Sequence, residues 1–227
     1  MLAPHPDDFD AIGVTMRFFR DNGNPIYVAV LSPSASGVQD TFCSSPTLEK
    51  KARIREQEQR ESCRFFGLPE SYLTFLNLEE DDTGQPMDSH DNCRHIEEHF
   101  AGVRPDFVFL PSGNDTNSGH RATCSMFKKI ASAASYPITG FLNRDQKTVS
   151  MRHDLLTVFG PEDAEWKAKL LRFHQSQHQR NLNQRHHGFD ERILSVNREI
   201  ARELPGPDMY AEAFELDEPS RYPRPSA

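Results

Sequence analysis

Short apolar runs alternate with longer amphipathic stretches along most of the chain. The runs PIYVAVLS (25–32) and RPDFVFLPS (104–112) are rich in β-branched or aromatic residues and are bounded by turn-forming residues, so they predict buried strands. Between them, residues 45–69 predict a long helix that ends at Gly67. Strand–helix alternation of this kind predicts a Rossmann-like α/β fold, with a doubly wound, mostly parallel sheet and helices on both faces.

The same pattern continues through the rest of the sequence. Further strands are predicted over 71–78, 136–143, 147–152 and 155–160, and further helices over 90–103, 118–135, 161–177 and 189–206. These elements predict one domain over residues 1–216, followed by a loose tail over 217–227.

The start of the chain departs from this pattern. In a doubly wound sheet, ligand-binding turns follow strands, yet only MLAP precedes the polar turn HPDD (5–8). Either the first strand is missing or a very short strand suffices, and we favour the missing strand.

Composition narrows the function. The 227 residues include 34 acidic and 26 basic side chains, for a formal net charge of −8, which argues against nucleic acid as the main partner. No apolar run approaches the roughly 18–20 residues of a membrane helix, so we expect no integral membrane segment. No signal peptide is recognisable and the four cysteines are widely spaced, which favours reduced thiols in a cytoplasm. The sequence is compatible with either a monomer or a homo-oligomer.

The turn HPDD carries the most specific chemistry. His5 and Asp8 offer an imidazole and a carboxylate, a mixture that suits zinc, although an Asp that caps a turn needs no metal. A catalytic zinc ion takes three protein ligands, and His120, at the start of the helix after another strand, is the best third candidate. We therefore predict one Zn²⁺ per chain, with another divalent transition metal as the alternative. Asp7 is then left beside the metal as a general base for hydrolysis.

These residues resemble the PIG-L/LmbE family of zinc-dependent de-N-acetylases. HPDD is that family's signature, and weaker similarities follow in the helix around Arg55 and Glu58 and in NSGHR (117–121), FHQSQ (173–177) and YAEAF (210–214). The resemblance implies that His5, Asp8 and His120 bind zinc and that Asp7 is the base. It also implies hydrolysis of an N-acetylglucosamine-type conjugate to an amine and acetate.

Some positions depart from the family pattern. Phe9 replaces the glutamate of HPDDE, Asn117 replaces a histidine, and Gly119 replaces an acid. By the resemblance, Asn117 is the candidate catalytic group that holds the oxyanion, with a backbone N–H as the alternative; an amide can donate that hydrogen bond but cannot supply a proton. His153 or His174 is then a candidate acid.

Two side chains are candidate substrate ligands. Arg55 contacts substrate or lies on a solvated helix face, and His174 lines the pocket or ties down a loop. The hypothesis is thus a metal-dependent N-deacetylase acting on a small amino-sugar conjugate. The alternatives are a metal- or sugar-binding relative that has lost catalysis and a hydrolase of non-sugar amides.

Overall fold

The protein, a computed structural model, is described over residues 1–204 and 208–217, except for the side chain of Glu203. The predicted tail therefore lies outside the described residues except for Asp217, which ends the last strand. The single domain over 1–216 stays a prediction.

In the described residues, seven strands form two hydrogen-bonded sheets whose edges touch. The strands are β1 Leu2–Ala3, β2 Val28–Val30, β3 Leu73–Phe75, β4 Phe107–Pro111, β5 Thr139–Asn143, β6 Leu155–Phe159 and β7 Tyr210–Asp217. In the first sheet, β1, β2 and β3 are parallel and lie in that order; in the second, the order is β4-β5-β7-β6. β4 and β5 are parallel, β7 is antiparallel to both of its neighbours, and β1 contacts β4. The mostly parallel α/β fold is confirmed.

Strand β1 settles the question about the start of the sheet. Leu2 and Ala3 pair in parallel with Ala29 and Val30, and Leu31 N–H donates to Ala3 O at 2.8 Å. The very short strand is confirmed, and the favoured reading of a missing strand is wrong. Two residues suffice because both are buried between apolar side chains of the two cores.

Seven α-helices cover both faces of the sheets in the described chain: α1 Gly13–Asp21, α2 Leu48–Phe66, α3 His90–Val103, α4 Ser118–Ala133, α5 Pro161–Leu171, α6 Gln175–Arg185 and α7 Phe189–Ile200. One core packs α3 and α4 against the sheets through Ile96, Phe100 and Phe127. The other packs α1, α2 and α5 through Met16, Phe66 and Leu170. Helices on both faces are confirmed.

Helix α2 follows its sequence signals. The Thr47 hydroxyl accepts from Lys50 N–H at the start, and Gly67 ends the helix with φ +88°, a conformation that favours glycine.

Three predicted elements are wrong in detail. Residues 161–177 form not one helix but α5 and the start of α6, because the chain turns at His174 and a new helix begins where Glu58 accepts hydrogen bonds from Ser176. Residues 147–152 form no strand, and Thr148 makes only an isolated bridge to Asp115. Helix α7 ends at Ile200 rather than at 206, with a short 3-10 turn after it.

Candidate metal centre and active site

The segments that follow β1 and β4 line one cavity of about 520 Å³. The turn after β1 supplies His5, Asp7 and Asp8, and the first turn of α4 supplies His120. The charged and amide side chains around the cavity are His5, Asp7, Asp8, Arg55, Gln85, Asn117, His120, Asp145, Lys147, Gln177, Arg180, Asn181, Gln184, Arg185 and Arg192. The fold thus brings the predicted metal ligands and the predicted base to one place.

The three predicted ligands have the spacing of a metal site. Nδ1 of His5 lies 3.2 Å from Oδ2 of Asp8, and Nε2 of His120 lies 3.5 Å from Oδ1 of Asp8. Candidate ligand atoms of all three residues lie within 4.8 Å of one another. Two ligands each about 2.0–2.1 Å from a tetrahedral zinc ion are separated by about 3.3 Å. The donor set, two imidazoles and a carboxylate, therefore fits zinc.

Neighbouring residues orient both imidazoles. Nε2 of His5 lies 2.8 Å from Gln85 Oε1, which can accept its hydrogen in the tautomer whose Nδ1 is free to bind a metal on the side of Asp8. Nδ1 of His120 lies 3.2 Å from Asp115 Oδ2 and 3.9 Å from Asp145 Oδ2. A carboxylate behind a ligating histidine fixes its ring and raises its basicity. Asp115 and Asp145 form a second acidic group around His120, but that group offers only one imidazole.

The cluster is strongly polarised in the metal-free protein. Burial alone would lower the pKa of His120, but Asp8, Asp115 and Asp145 raise it to about 10. Burial alone would raise the pKa of Asp8, but His120 and His5 hold it well below its ordinary value. The cluster therefore has a strong demand for positive charge, which a proton on His120 meets when no metal is bound.

Asp7 is held in an unusual backbone conformation. Its φ is +104°, which is rare for a residue other than glycine, and its N–H donates to Gln59 Oε1 at 2.9 Å. Arg55 Nη2 lies 3.3 Å from Asp7 Oδ2, and Arg55 also donates to Pro6 O. Helix α2 thus fixes both the backbone and the carboxylate of Asp7. Backbone strain of this kind clusters at functional sites.

Arg55 lines the cavity but is 2 % exposed and bonded to the HPDD turn. This position suits the orientation of Asp7 at least as well as contact with substrate.

His174 lies behind the cavity rather than on its wall. It is fully buried, and its Nε2 lies 2.7 Å from Asp10 Oδ2, which also accepts from Gln59 Nε2 at 3.0 Å. This matches the alternative in which His174 ties down a loop. His153 is exposed near Arg144 and does not line the cavity. Neither histidine is brought to the position of a general acid.

Asn117 has two roles available to it. Its Oδ1 caps α4 by accepting from Gly119 N–H at 2.8 Å and His120 N–H at 3.4 Å. With Oδ1 engaged in the cap, its amide N–H₂ remains as the donor, and the residue lines the cavity.

The departure at Gly119 is coupled to Gln85. A Cβ at residue 119 would lie 2.6 Å from Gln85 Oε1 and 3.1 Å from His5 Nε2. A side chain at residue 119 would therefore displace the Gln85 amide that orients His5. In this chain that space is occupied by the side chain of Gln85, which comes from the loop before α3. Phe9, the other departure, is fully buried in the core against Phe66.

Sequence reasoning missed several supporting residues. Gln59 and Ser62 lie on the same buried face of α2 as Arg55, at helical spacing. Polar residues that repeat at this spacing in a predicted helix could have indicated a buried polar face. Asp115 lies two residues before Asn117 in a polar loop, where carboxylates are common, and nothing in the sequence marks Gln85.

The first part of the chain decides the family. A profile of the GlcNAc-PI de-N-acetylase family, PIG-L, matches residues 1–131, which include His5, Asp7, Asp8, Asn117 and His120. The chain belongs to the PIG-L family. No curated protein matched the sequence significantly.

Solved structures share the PIG-L fold at low sequence identity. The N,N'-diacetylchitobiose deacetylase from Pyrococcus horikoshii has 18% identity and a TM-score of 0.77, over 96% of this chain and 82% of that one. A zinc-inhibited form of the teicoplanin deacetylase Orf2 has 14% identity and a TM-score of 0.71, over 96% and 97%. GalB, the 4-carboxy-2-hydroxymuconate hydratase from Pseudomonas putida KT2440, has 17% identity and a TM-score of 0.62, over 100% and 96%. At such identities these likenesses show the fold alone.

In the part of the chain that the structure describes, no helix is both long enough and apolar enough to cross a membrane.

Proposed function

We propose that the protein is a zinc-dependent N-deacetylase that hydrolyses the N-acetyl group of an amino-sugar conjugate. The observation that carries the proposal is the convergence of His5, Asp8 and His120, at metal-ligand spacing, on a cavity that Asp7 also lines. Membership of the PIG-L family and the two deacetylases among its structural relatives support it.

His5, Asp8 and His120 would hold the ion. Zinc in that position supplies a Lewis acid for the amide carbonyl and lowers the pKa of a water molecule to about 7. Gln85 and Asp115 keep the imidazoles oriented, because each faces the ring nitrogen that does not face Asp8.

Asp7 is the proposed general base. Its carboxylate takes a proton from the water whose oxygen attacks the acetyl carbon, while Arg55 keeps the carboxylate oriented. The Asn117 amide N–H₂ donates to the oxyanion.

The proton on Asp7 then moves to the leaving nitrogen as the C–N bond breaks, which yields acetate and the amine. This return of the proton needs no second acid, in keeping with the position of His153 and His174 outside the cavity wall.

The test combines metal analysis with acetate release. We expect about one zinc per chain and acetate from at least one member of an N-acetyl amino-sugar panel. His120→Ala should lose both metal and activity, and Asp7→Asn should keep metal and lose activity. The control is Asp82→Asn, which also removes one negative charge, but from an exposed residue outside the cavity.

Other outcomes have separate meanings. Stoichiometric metal without acetate release from any sugar, but with release from non-sugar N-acetyl amides, would replace the substrate class. Metal binding with no hydrolysis of either class would support a binding protein. Absence of metal from folded protein would contradict the ligand assignment.

A further inference from the structure

The cavity wall contributed by α6 and α7 is strongly cationic. It carries Arg180, Arg185 and Arg192, which we call the arginine wall. This concentration is unexpected in a chain with a formal net charge of −8. Arginine is the side chain best suited to bind carboxylate and phosphate, because its planar fork donates two parallel hydrogen bonds.

The arginine wall has no counter-ions within the described chain. No carboxylate oxygen of the described residues lies within 4.0 Å of a side-chain nitrogen of these three arginines; Arg55 and Arg172, by contrast, pair with Asp7 and Asp190. The three carboxylates of the cavity lie closer to other cationic groups: Asp7 to Arg55, Asp8 to the two histidines, and Asp145 to His120 at 3.9 Å.

Two of the three guanidiniums are also half-buried and poorly satisfied. Nη1 of Arg180 reaches only Gly37 O at 3.5 Å, and Nη1 of Arg192 reaches only Asn181 Oδ1 at 3.5 Å. Nε of Arg192 is buried without a hydrogen-bond partner. An unpaired, partly desolvated cation costs free energy, and a bound anion would remove that cost.

The cations also repel one another. Burial is the main cause that lowers the pKa of Arg180 and of Arg192. Arg55 and Arg185 lower the pKa of Arg180 further, and Arg185 and Arg180 that of Arg192, whereas Asp7 acts in the opposite direction on both and Asp145 on Arg192. Like charges gathered around a cavity favour a ligand of opposite charge.

The position of the wall assigns it a role separate from the metal centre. The family profile ends at residue 131, whereas the wall lies on α6 and α7, after residue 174. The wall is therefore a feature of this chain beyond the matched segment, and it faces the same cavity as the metal-ligand candidates. Phe189 and Ile193 line the same cavity.

We infer that the substrate carries an anionic group, a phosphate or a carboxylate, which Arg180, Arg185 and Arg192 bind while the acetamido group lies beside His5, Asp8 and His120. The placement of the acetamido group rests on the proposed function; the anion site itself does not.

The kinetic test compares charged and neutral substrates that share the N-acetyl group. N-acetylglucosamine 6-phosphate tests phosphate, N-acetylmuramic acid tests carboxylate, and N-acetylglucosamine is neutral. We expect kcat/KM at least about tenfold higher for one of the anionic substrates, mainly through KM, since hydrogen bonds to charged groups are worth a factor of about 10–100. The favoured anion identifies the source of the charge.

Variants locate the effect. Arg180→Gln and Arg192→Gln should lower kcat/KM for the favoured anion about tenfold or more and leave the neutral substrate within about twofold. Arg192→Lys should recover only part of the loss, because lysine lacks the planar fork. The control is Arg202→Gln, which also removes one positive charge, but from an exposed residue outside the cavity; kcat/KM should stay unchanged for both substrates. An equal loss of kcat/KM for charged and neutral substrates would mean that Arg180 and Arg192 have a structural role, which would overturn the inference.

A binding measurement keeps the inference testable if no acetate is released. Calorimetry with glucosamine 6-phosphate, muramic acid and neutral glucosamine should show tighter binding of an anion to wild-type protein and its loss in Arg180→Gln/Arg192→Gln, with a Tm no lower than that of the wild type. Equal binding of the three ligands, or anion binding that persists in the double variant, would overturn the anion site whether or not the protein is a deacetylase.

Discussion

Among the buried charged clusters of the described chain, one lies at the cavity and another is sealed in the core. In the sealed cluster, Lys167 Nζ donates to Ala11 O at 2.5 Å, to Asn197 Oδ1 at 2.7 Å and to Glu212 Oε1 at 2.7 Å, which uses all three of its hydrogens. In the cavity cluster, the groups of His5, Asp8 and His120 face each other and open space.

Their surroundings explain the difference. Glu212 also accepts from the N–H groups of Val14 and Thr15, so its carboxylate stabilises the first turn of α1. Lys167 and Glu212 thereby join α5, β7 and α1 without reaching solvent. A fully satisfied cluster stabilises the fold, whereas the cluster at the cavity still has capacity to bind a ligand.

The largest expected effect is a loss of activity on substitution of Asp7 beside the cavity cluster. Asp7→Asn should lower kcat by about 10³-fold, within the range for loss of a general base, because an amide cannot take the proton. Zinc content and Tm should stay near wild type, since Asn can still accept from Arg55. Acetate release under saturating substrate measures the effect, and retention of full activity would exclude Asp7 as the base.

The next effect should appear in stability. Lys167→Met leaves the Glu212 carboxylate buried without its cation, so the free energy of unfolding should fall by about 3–5 kcal/mol in urea denaturation. Lys167→Met/Glu212→Gln should recover part of that loss, because it removes the uncompensated charge. A fall in kcat of the folded protein comparable to that of Asp7→Asn would contradict the division between the clusters.

Asn117 connects a structural role with a catalytic one. Asn117→Ser keeps an acceptor for the cap of α4 but removes the amide donor, so kcat should fall by about 10²-fold with little change in Tm. Asn117→Ala removes both and should in addition cost about 1 kcal/mol of stability. Loss of stability without loss of kcat in the alanine variant would leave Asn117 as a cap only.

Removal of the metal should lower the free energy of unfolding by less than Lys167→Met does. At a free zinc concentration of 100 times its Kd, the metal should stabilise the protein by about 2.7 kcal/mol, seen as a higher Tm that a chelator reverses. The pKa of His120 is raised to about 10 without metal, so His120 is protonated at neutral pH and zinc must displace that proton. Apparent zinc affinity should therefore weaken as pH falls below 10. A pH-independent affinity in calorimetry, or loss of the shift in Lys167→Met alone, would contradict this account.

The residues of the cavity cluster could be predicted from the sequence, whereas those of the sealed cluster could not. HPDD places three functional side chains in four consecutive residues, and His120 follows a recognisable strand. Glu212 lies in YAEAF, whose alternation gave no sign of a carboxylate at a helix start, and its partner Lys167 lies 45 residues away. Long-range pairs of this kind depend on how α5 and β7 pack, which local patterns do not specify.

The fold was predictable to a similar degree. Parallel strands and amphipathic helices have strong periodic signals, whereas the break at His174 depends on a hydrogen bond to Asp10, 164 residues away. The arginine wall is not predicted either: the sequence assigns no element to residues 178–188, which contain Arg180 and Arg185, and nothing marks Arg192 within the predicted helix 189–206.

Order along the chain also divides the protein into parts that can change independently. The metal-ligand candidates all precede residue 121, and the arginine wall begins at residue 180, in helices that make no ligand to the metal centre. Duplication of the gene followed by substitutions confined to α6 and α7 would create enzymes that accept different molecules and share one chemistry. The same boundary offers protein engineers a place to recombine relatives, with the early segment kept for reactivity and the late segment exchanged for selectivity.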